Sequence, residues 1–158
     1  MKSLPVPRRF LRIPYDGGQY PGCPRAKPFL SGANCQRFAY ELWRHYGYEI
    51  ANFRSQELWN DAAWTFVVKR LRPLDLLLFN RDPEARGAHI GVYLGDHRVI
   101  HLSKQMGKPV VWPLEEFARH DRYKIFLGAK RLRTKFRLRG TVTPMPPSRS
   151  RASHLAKK

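Results

Sequence analysis

The stretch AHIGVYLGDHRVIH, residues 88–101, contains two runs of β-forming residues separated by Gly95 and Asp96. Two such runs joined by Gly and Asp are typical of a β-hairpin. Each run carries one histidine, His89 in the first and His101 in the second. An imidazole that is buried in a strand needs hydrogen-bond partners, so the two histidines are candidates for a shared site.

The length of the hairpin loop decides whether His89 and His101 lie on the same face of the sheet. A two-residue loop places them on opposite faces, because side chains alternate along a strand. A three-residue loop, Gly95-Asp96-His97, pairs Gly91 with His101 and makes the histidines diagonal neighbours on one face. That loop needs a positive φ at His97, which histidine tolerates. A shared histidine site therefore requires the loop of odd length.

A cysteine stands at the start of a predicted helix in NCQRFAYELWRHYG, residues 34–47. Phe38, Leu42 and Tyr46 recur at steps of four residues and a glycine ends the run, which indicates an amphipathic helix. Thiolate is the nucleophilic form of cysteine, and a helix N-terminus lowers the pKa of a thiol placed there. Cys35 is therefore a candidate nucleophile, with a small apolar core residue as the alternative.

The remaining elements follow in an order that predicts an α+β fold. Residues 1–30 contain many Gly and Pro and are expected to form an extended lead-in. A short helical segment is expected near residues 55–63, after the first helix. The β-rich runs expected to form an antiparallel sheet are TFVVKRL (65–71), LDLLLF (74–79), the hairpin at 88–101, VVWPL (110–114) and YKIFLGAKRLR (123–133).

The chain is strongly basic. It has 158 residues, 42% of them apolar, which is enough for one domain with a buried core. Its formal net charge is +18, and residues 129–158 carry ten Lys and Arg and no acidic residue. Residues 140–158 have too few apolar side chains to pack and are expected to be a disordered basic tail. Such a tail favours nonspecific contact with polyanions.

The cysteines and the N-terminus exclude several classes of protein. Cys23 and Cys35 are too few for a disulfide scaffold, and no CxxC pair or Cys/His cluster accompanies them, so neither a metal nor another cofactor is expected. No signal peptide is visible, because the first residues lack an apolar run of seven or more. No stretch resembles a transmembrane segment. A cytoplasmic location is expected unless the protein is exported by another route.

Four motifs together resemble the NlpC family of papain-like cell-wall cysteine peptidases in order and spacing. They are NCQRFAYELWRHYG (34–47), RSQELW (54–59), RPLDLLLF (72–79) and AHIGVYLGDHRVIH (88–101). The family pattern is a cysteine opening a helix, an Arg-Ser or Arg-Thr loop, a Gly-Asp-Leu strand and a histidine-bearing hairpin. The resemblance implies a papain-like domain over residues 14–139, with the cysteine-bearing helix packed on an antiparallel sheet.

The resemblance also implies roles for individual residues. Cys35 would be the nucleophile, His89 the general base and His101 the residue that orients the imidazole. The backbone N–H of Cys35 would stabilise the oxyanion. Tyr15, Arg54 and Gln36 are the expected substrate-binding residues.

This sequence departs from the family pattern at the nucleophile. The family usually has Asp-Cys-Ser-Gly, in which Asp and Ser help to bind the free amino group of the stem peptide. Here the sequence is Asn34-Cys35-Gln36-Arg37, and Leu74 replaces the glycine before Asp75. An Asp in front of an apolar run is more often a turn or cap residue than a catalytic one, and we interpret Asp75 in that way.

Three functions are compatible with these observations. The first is a cysteine hydrolase that cleaves an amide bond, with a peptidoglycan stem peptide as the substrate that the resemblance implies. The second is a polyanion-binding module whose catalytic site is silent, which the charge of +18 suggests. The third keeps the thiol chemistry but performs deamidation or acyl transfer, which the Asn-Cys-Gln departure suggests.

Overall fold

A computed structural model describes residues 3–137, and the expected basic tail at 140–158 lies outside the described residues. The fold is α+β, as the sequence predicts, and the described residues form two α-helices and a six-stranded antiparallel sheet. None of the helices in the described range is long and apolar enough to span a membrane. The elements are α1 (Cys35–His45), α2 (Ser55–Asn60), β1 (Thr65–Val68), β2 (Leu76–Asn80), β3 (His89–Gly95), β4 (Arg98–Leu102), β5 (Pro109–Pro113) and β6 (Ile125–Leu132).

The strands lie in the order β1-β6-β2-β3-β4-β5, so the last strand inserts between the first two. The two faces of β2 are both covered. Leu76 and Leu78 belong to the main core with α1, whereas Leu77 and Phe79 belong to a second apolar cluster on the opposite face. Burial on both faces explains why this strand is continuously apolar and does not alternate.

The residues before α1 form an extended segment with two short 3₁₀ helices, Arg8–Arg12 and Phe29–Ser31. Leu4, Phe10 and Ile13 from this segment are buried and join the main core. The lead-in is therefore packed on the domain and forms part of its structure.

Helix α1 begins at Cys35 because Asn34 caps it. The Asn34 side chain accepts a hydrogen bond from the backbone N–H of Arg37 at 2.8 Å, and such a cap contributes about 1 kcal/mol. At the other end of the helix, the Trp43 indole donates to the Leu74 carbonyl at 2.7 Å. These contacts fix the position of the cysteine relative to the sheet.

The hairpin turn differs from the predicted three-residue loop. Asp96 and His97 form a two-residue turn with φ of 54° and 59°, and Gly95 pairs with Arg98. Positive φ at both central positions is typical of a type I′ turn, whose twist matches that of the flanking strands. The prediction of loop length is therefore wrong, although the positive φ expected at His97 is observed.

A β-bulge at Leu94 restores the register that the two-residue turn would otherwise change. Beyond the turn Tyr93 pairs with Val99, and Leu94 is left as an extra residue on its strand. One extra residue exchanges the faces of all side chains beyond it. His89 and His101 therefore share a face of the sheet, by a bulge and not by an odd-length loop.

Asp75 holds the turn before β2. Its side chain is 1% exposed, and its carboxylate accepts two hydrogen bonds from the Arg131 guanidinium and one from the backbone N–H of Arg72, each at 2.8 Å. Leu74 just before it has φ of 80°, a conformation that glycine adopts more easily. The structure thus gives Asp75 the turn role that the sequence favours.

Gly91 lies beside Val99 on the neighbouring strand, and a Cβ added at Gly91 would lie 2.7 Å from Val99 Cγ1. Val99 is fully buried, so its methyl group has little room to move away. We expect Gly91→Ala to lower the free energy of unfolding by about 1–3 kcal/mol, as overpacking does. Urea denaturation measures this change.

The matched control is the same substitution in a Val99→Ala background. There the clashing methyl group is absent, so Gly91→Ala should cost less than it does in the wild type. An equal cost in the two backgrounds would show that the clash with Val99 is not the cause.

Candidate active site

Cys35 is the first residue of α1 and is half-buried. Burial raises the pKa of its thiol, whereas the backbone N–H groups of Ile90 and Gln36 and the Arg54 guanidinium favour the thiolate. The lowering expected at a helix N-terminus is therefore outweighed by burial. Cys35 is a neutral thiol at pH 7, and the contact with Ile90 places its sulfur at the start of β3.

His89 and His101 are joined by a hydrogen bond of 2.8 Å between His89 Nε2 and His101 Nδ1. His89 is 8% exposed, and its ring stacks on Tyr123 with 4.3 Å between the ring centres. Burial lowers the pKa of His89 to about 3, so its imidazole is neutral at pH 7. A neutral imidazole has one N–H and one lone pair. The tautomer of His101 therefore decides which nitrogen of His89 carries the lone pair that can accept a proton.

Aromatic rings surround His101. His101 is fully buried, and its Nε2 has no hydrogen-bond partner among the described residues. Its ring centre lies 4.4 Å from that of Trp112 and 4.7 Å from that of Phe117. An N–H can donate to an aromatic ring, whereas a lone pair would face the negative π surface. In the tautomer with the proton on Nε2, this N–H faces the aromatic surroundings and Nδ1 accepts from His89 Nε2–H.

In that tautomer His89 Nδ1 has a free lone pair, because its Nε2 carries the proton that His101 Nδ1 accepts. His89 can act as a base through Nδ1 while its other nitrogen is held by His101.

Cys35 and His89 line one cavity with a volume of about 250 Å³. Tyr15 lines the same cavity, because a parallel bridge joins Tyr15 to Ala33, two residues before the cysteine. Burial and the nearby Cys35 raise the pKa of the Tyr15 phenol. Segments that follow β2 and β4, and the 3₁₀ segment Asp121–Tyr123, complete the wall.

The two other expected substrate-binding residues lie outside the walls of this cavity. The Arg54 guanidinium lies 4.1 Å from the centre of the Tyr20 ring and acts on Cys35 through its charge. Gln36 is 3% exposed, and its side-chain amide donates to the Tyr40 hydroxyl at 2.9 Å. The Gln36 side chain is therefore bonded within the core, and its expected role in substrate binding stays a prediction.

Sequence reasoning missed the aromatic residues that surround the histidines. Tyr123 stacks on His89, and Trp112 and Phe117 enclose His101. These residues come from separate segments near the end of the domain, and no motif in the sequence connects them to the hairpin. Within residues 3–137, no group of three or more His, Cys, Asp or Glu side chains is placed to hold a metal ion.

A cysteine at the start of a helix, packed on an antiparallel sheet that carries a histidine pair, defines the papain-like class of fold. A solved NlpC/P60 family protein from Bacillus cereus matches 77% of this chain, with a TM-score of 0.54 and 23% identity. The NlpC/p60 domain of the peptidoglycan hydrolase SagA matches 70% of this chain, with a TM-score of 0.50 and 20% identity. The fold is therefore NlpC-like.

The coverage of these two structures differs. This chain spans 36% of the length of the Bacillus cereus protein and 86% of the SagA domain. No family model and no curated protein matches the sequence. The likeness thus concerns the fold of one domain.

The buried histidines predict a loss of stability in acid. The pKa of His101 is lowered to about 2 by burial and by the charges of His89 and His120, and that of His89 to about 3 by burial. In the unfolded chain histidine binds a proton near pH 6.5. Between about pH 6.5 and 3 the unfolded state therefore binds more protons, so stability rises with pH across this window. We expect the Tm to fall steadily from pH 7 to pH 4.

The His101→Asn variant is the control for this prediction. It removes one of the two histidines whose protonation is suppressed in the folded state. Its Tm should therefore fall less steeply over the same pH range, whatever its Tm at pH 7. Circular dichroism at constant ionic strength measures both slopes. Equal slopes would contradict a His101 that is neutral in the folded state.

Proposed function

We propose that this protein is a cysteine hydrolase that cleaves an amide bond in a peptidoglycan stem peptide. One observation carries the proposal: Cys35 and His89 line the same cavity, and His89 is bonded to His101 at 2.8 Å. That arrangement has the nucleophile, the base and the orienting residue of a thiol hydrolase. The peptidoglycan substrate is supported by the likeness in fold to a domain of a peptidoglycan hydrolase.

Catalysis would start from a neutral thiol and a neutral imidazole. His89 Nδ1 takes the proton of Cys35 as the sulfur forms a bond to the carbonyl carbon. The carbonyl π electrons move to the oxygen, which accepts a hydrogen bond from the backbone N–H of Cys35 at the start of α1. His101 Nδ1 accepts from His89 Nε2–H throughout, and so stabilises the imidazolium that forms.

The tetrahedral intermediate then collapses. The C–N bond breaks, His89 gives its Nδ1 proton to the leaving amine, and a thioester on Cys35 remains. Water attacks this thioester while His89 Nδ1 takes the water proton. The C–S bond breaks, the carboxylic acid leaves, and the proton returns to the sulfur of Cys35.

Substitution of the three residues tests the proposal. Cys35→Ala and His89→Ala should each reduce cleavage of purified muropeptides by about 10³-fold or more, because they remove the nucleophile and the base. His101→Ala should cost a smaller factor, about 10- to 100-fold, because it orients the base. Mass spectrometry of new amino termini measures turnover, and melting curves verify that each variant folds. Cleavage that persists in Cys35→Ala would contradict the mechanism.

Deamidation or acyl transfer is a second candidate, favoured by the residues around the nucleophile. Asn34 uses its side chain as a helix cap, and Gln36 is bonded to Tyr40. Neither is free to bind a substrate amino group as the family's Asp and Ser do. Release of ammonia, or an acyl group transferred to an added amine, would distinguish these reactions from peptide cleavage.

A polyanion-binding module with a silent site is the third candidate. Its binding to nucleic acid would weaken steeply as salt is raised, because phosphate contacts release counterions. Binding of this kind in a protein without turnover would replace the hydrolase proposal.

A further inference from the structure

Three cationic side chains of residues 3–137 line the cavity that contains Cys35 and His89. Arg81, Lys104 and Arg122 line it, and none of its lining residues is acidic. We propose that this cavity binds a carboxylate of the substrate, close to the scissile amide, through Arg81, Lys104 and Arg122. The inference rests on the proposed hydrolase function and adds to it the charge of the group that the site selects.

The three cations come from different parts of the chain. Arg81 directly follows β2, Lys104 follows β4, and Arg122 belongs to the 3₁₀ segment Asp121–Tyr123. No single run of basic sequence accounts for their meeting, because the fold brings three separate segments together at one cavity. Charges of one sign in a concave site add to each other and raise the local concentration of an oppositely charged ligand.

Two of the acidic side chains near Arg122 have other partners. The Asp121 carboxylate pairs with Lys124 at 3.1 Å, and Glu116 pairs with Arg119 and His120. Among the described residues, Arg81, Lys104 and Arg122 form no ion pair within 4.0 Å. Their charges are therefore available to a ligand.

The residues next to the nucleophile do not favour a substrate amino group. Asn34 carries no charge, and its side-chain oxygen accepts from the Arg37 backbone. The Arg37 guanidinium donates to Gln19 Oε1 at 2.9 Å and to the Lys27 carbonyl at 2.7 Å. The family pattern has a carboxylate at the position of Asn34, so the negative charge that would attract an amino group there is absent from this chain.

The carboxylate is tested with two stem peptides that differ at one group. One carries the free α-carboxylate of its γ-linked D-glutamate, and the other carries a carboxamide there. Calorimetry with the Cys35→Ala variant measures the dissociation constant of each, so turnover does not interfere. We expect the carboxylate peptide to bind about tenfold more tightly, which is the combined effect expected of a few exposed charge contacts. We also expect this difference between the two dissociation constants to shrink as salt is raised.

Charge variants in the same Cys35→Ala background assign the contact to the cavity. Lys104→Gln and Arg122→Gln should each weaken binding of the carboxylate peptide about threefold and leave the carboxamide peptide unchanged. Lys124→Gln is the matched control, because it removes an equal charge two residues from Arg122 on a side chain that pairs with Asp121. It should leave both dissociation constants unchanged.

The outcomes separate this inference from the proposed function. Equal binding of the two peptides, no binding of either, or an effect of Lys124→Gln as large as that of Arg122→Gln would overturn the carboxylate site. Wild-type cleavage of both peptides at equal kcat/KM would also overturn it while leaving the hydrolase intact. Selective binding of the carboxylate peptide without any cleavage by the wild type would support the site and reject the hydrolase.

Discussion

The candidate site depends on the hydrogen bond between His89 and His101, and that bond depends on one extra residue in β3. A type I′ turn at Asp96 and His97 alone would place the two imidazoles on opposite faces of the sheet. The bulge at Leu94 moves them to one face, where their nitrogens are 2.8 Å apart. Bulges occur often next to active sites because they redirect a side chain without changing the rest of the sheet.

Burial then decides the charge state of the site. The same desolvation that raises the pKa of the Cys35 thiol lowers the pKa of His89 to about 3, so the two groups are both uncharged at rest. The resting site therefore contains no thiolate–imidazolium ion pair. In the proposed hydrolysis, the proton leaves the thiol as the sulfur attacks the substrate. The rings of Trp112 and Phe117 enclose His101 and keep its imidazole away from water.

Features with local causes could be predicted from the sequence. The helix was expected to begin near Cys35 and does so, because the cap at Asn34 and the four-residue recurrence of apolar side chains act within one segment. The predicted strands over 65–71, 74–79, 110–114 and 123–133 overlap β1, β2, β5 and β6. The bulge could not be predicted, since the apolar alternation is compatible with either loop, and the direction of Gln36 depends on where Tyr40 packs.

In the proposed hydrolase, the residues that select the substrate lie in a different part of the fold from Cys35 and His89. Asn34 is committed to the helix cap and Gln36 to the core, so neither side chain offers a charge with which to select a substrate. The proposed carboxylate site instead draws its charges from the segments that follow β2 and β4 and from Arg122. Loops of this kind accept changes in sequence at little cost in stability, because they lie at the surface. A papain-like framework can in this way keep its thiol and imidazole in place while the charge that it selects is changed.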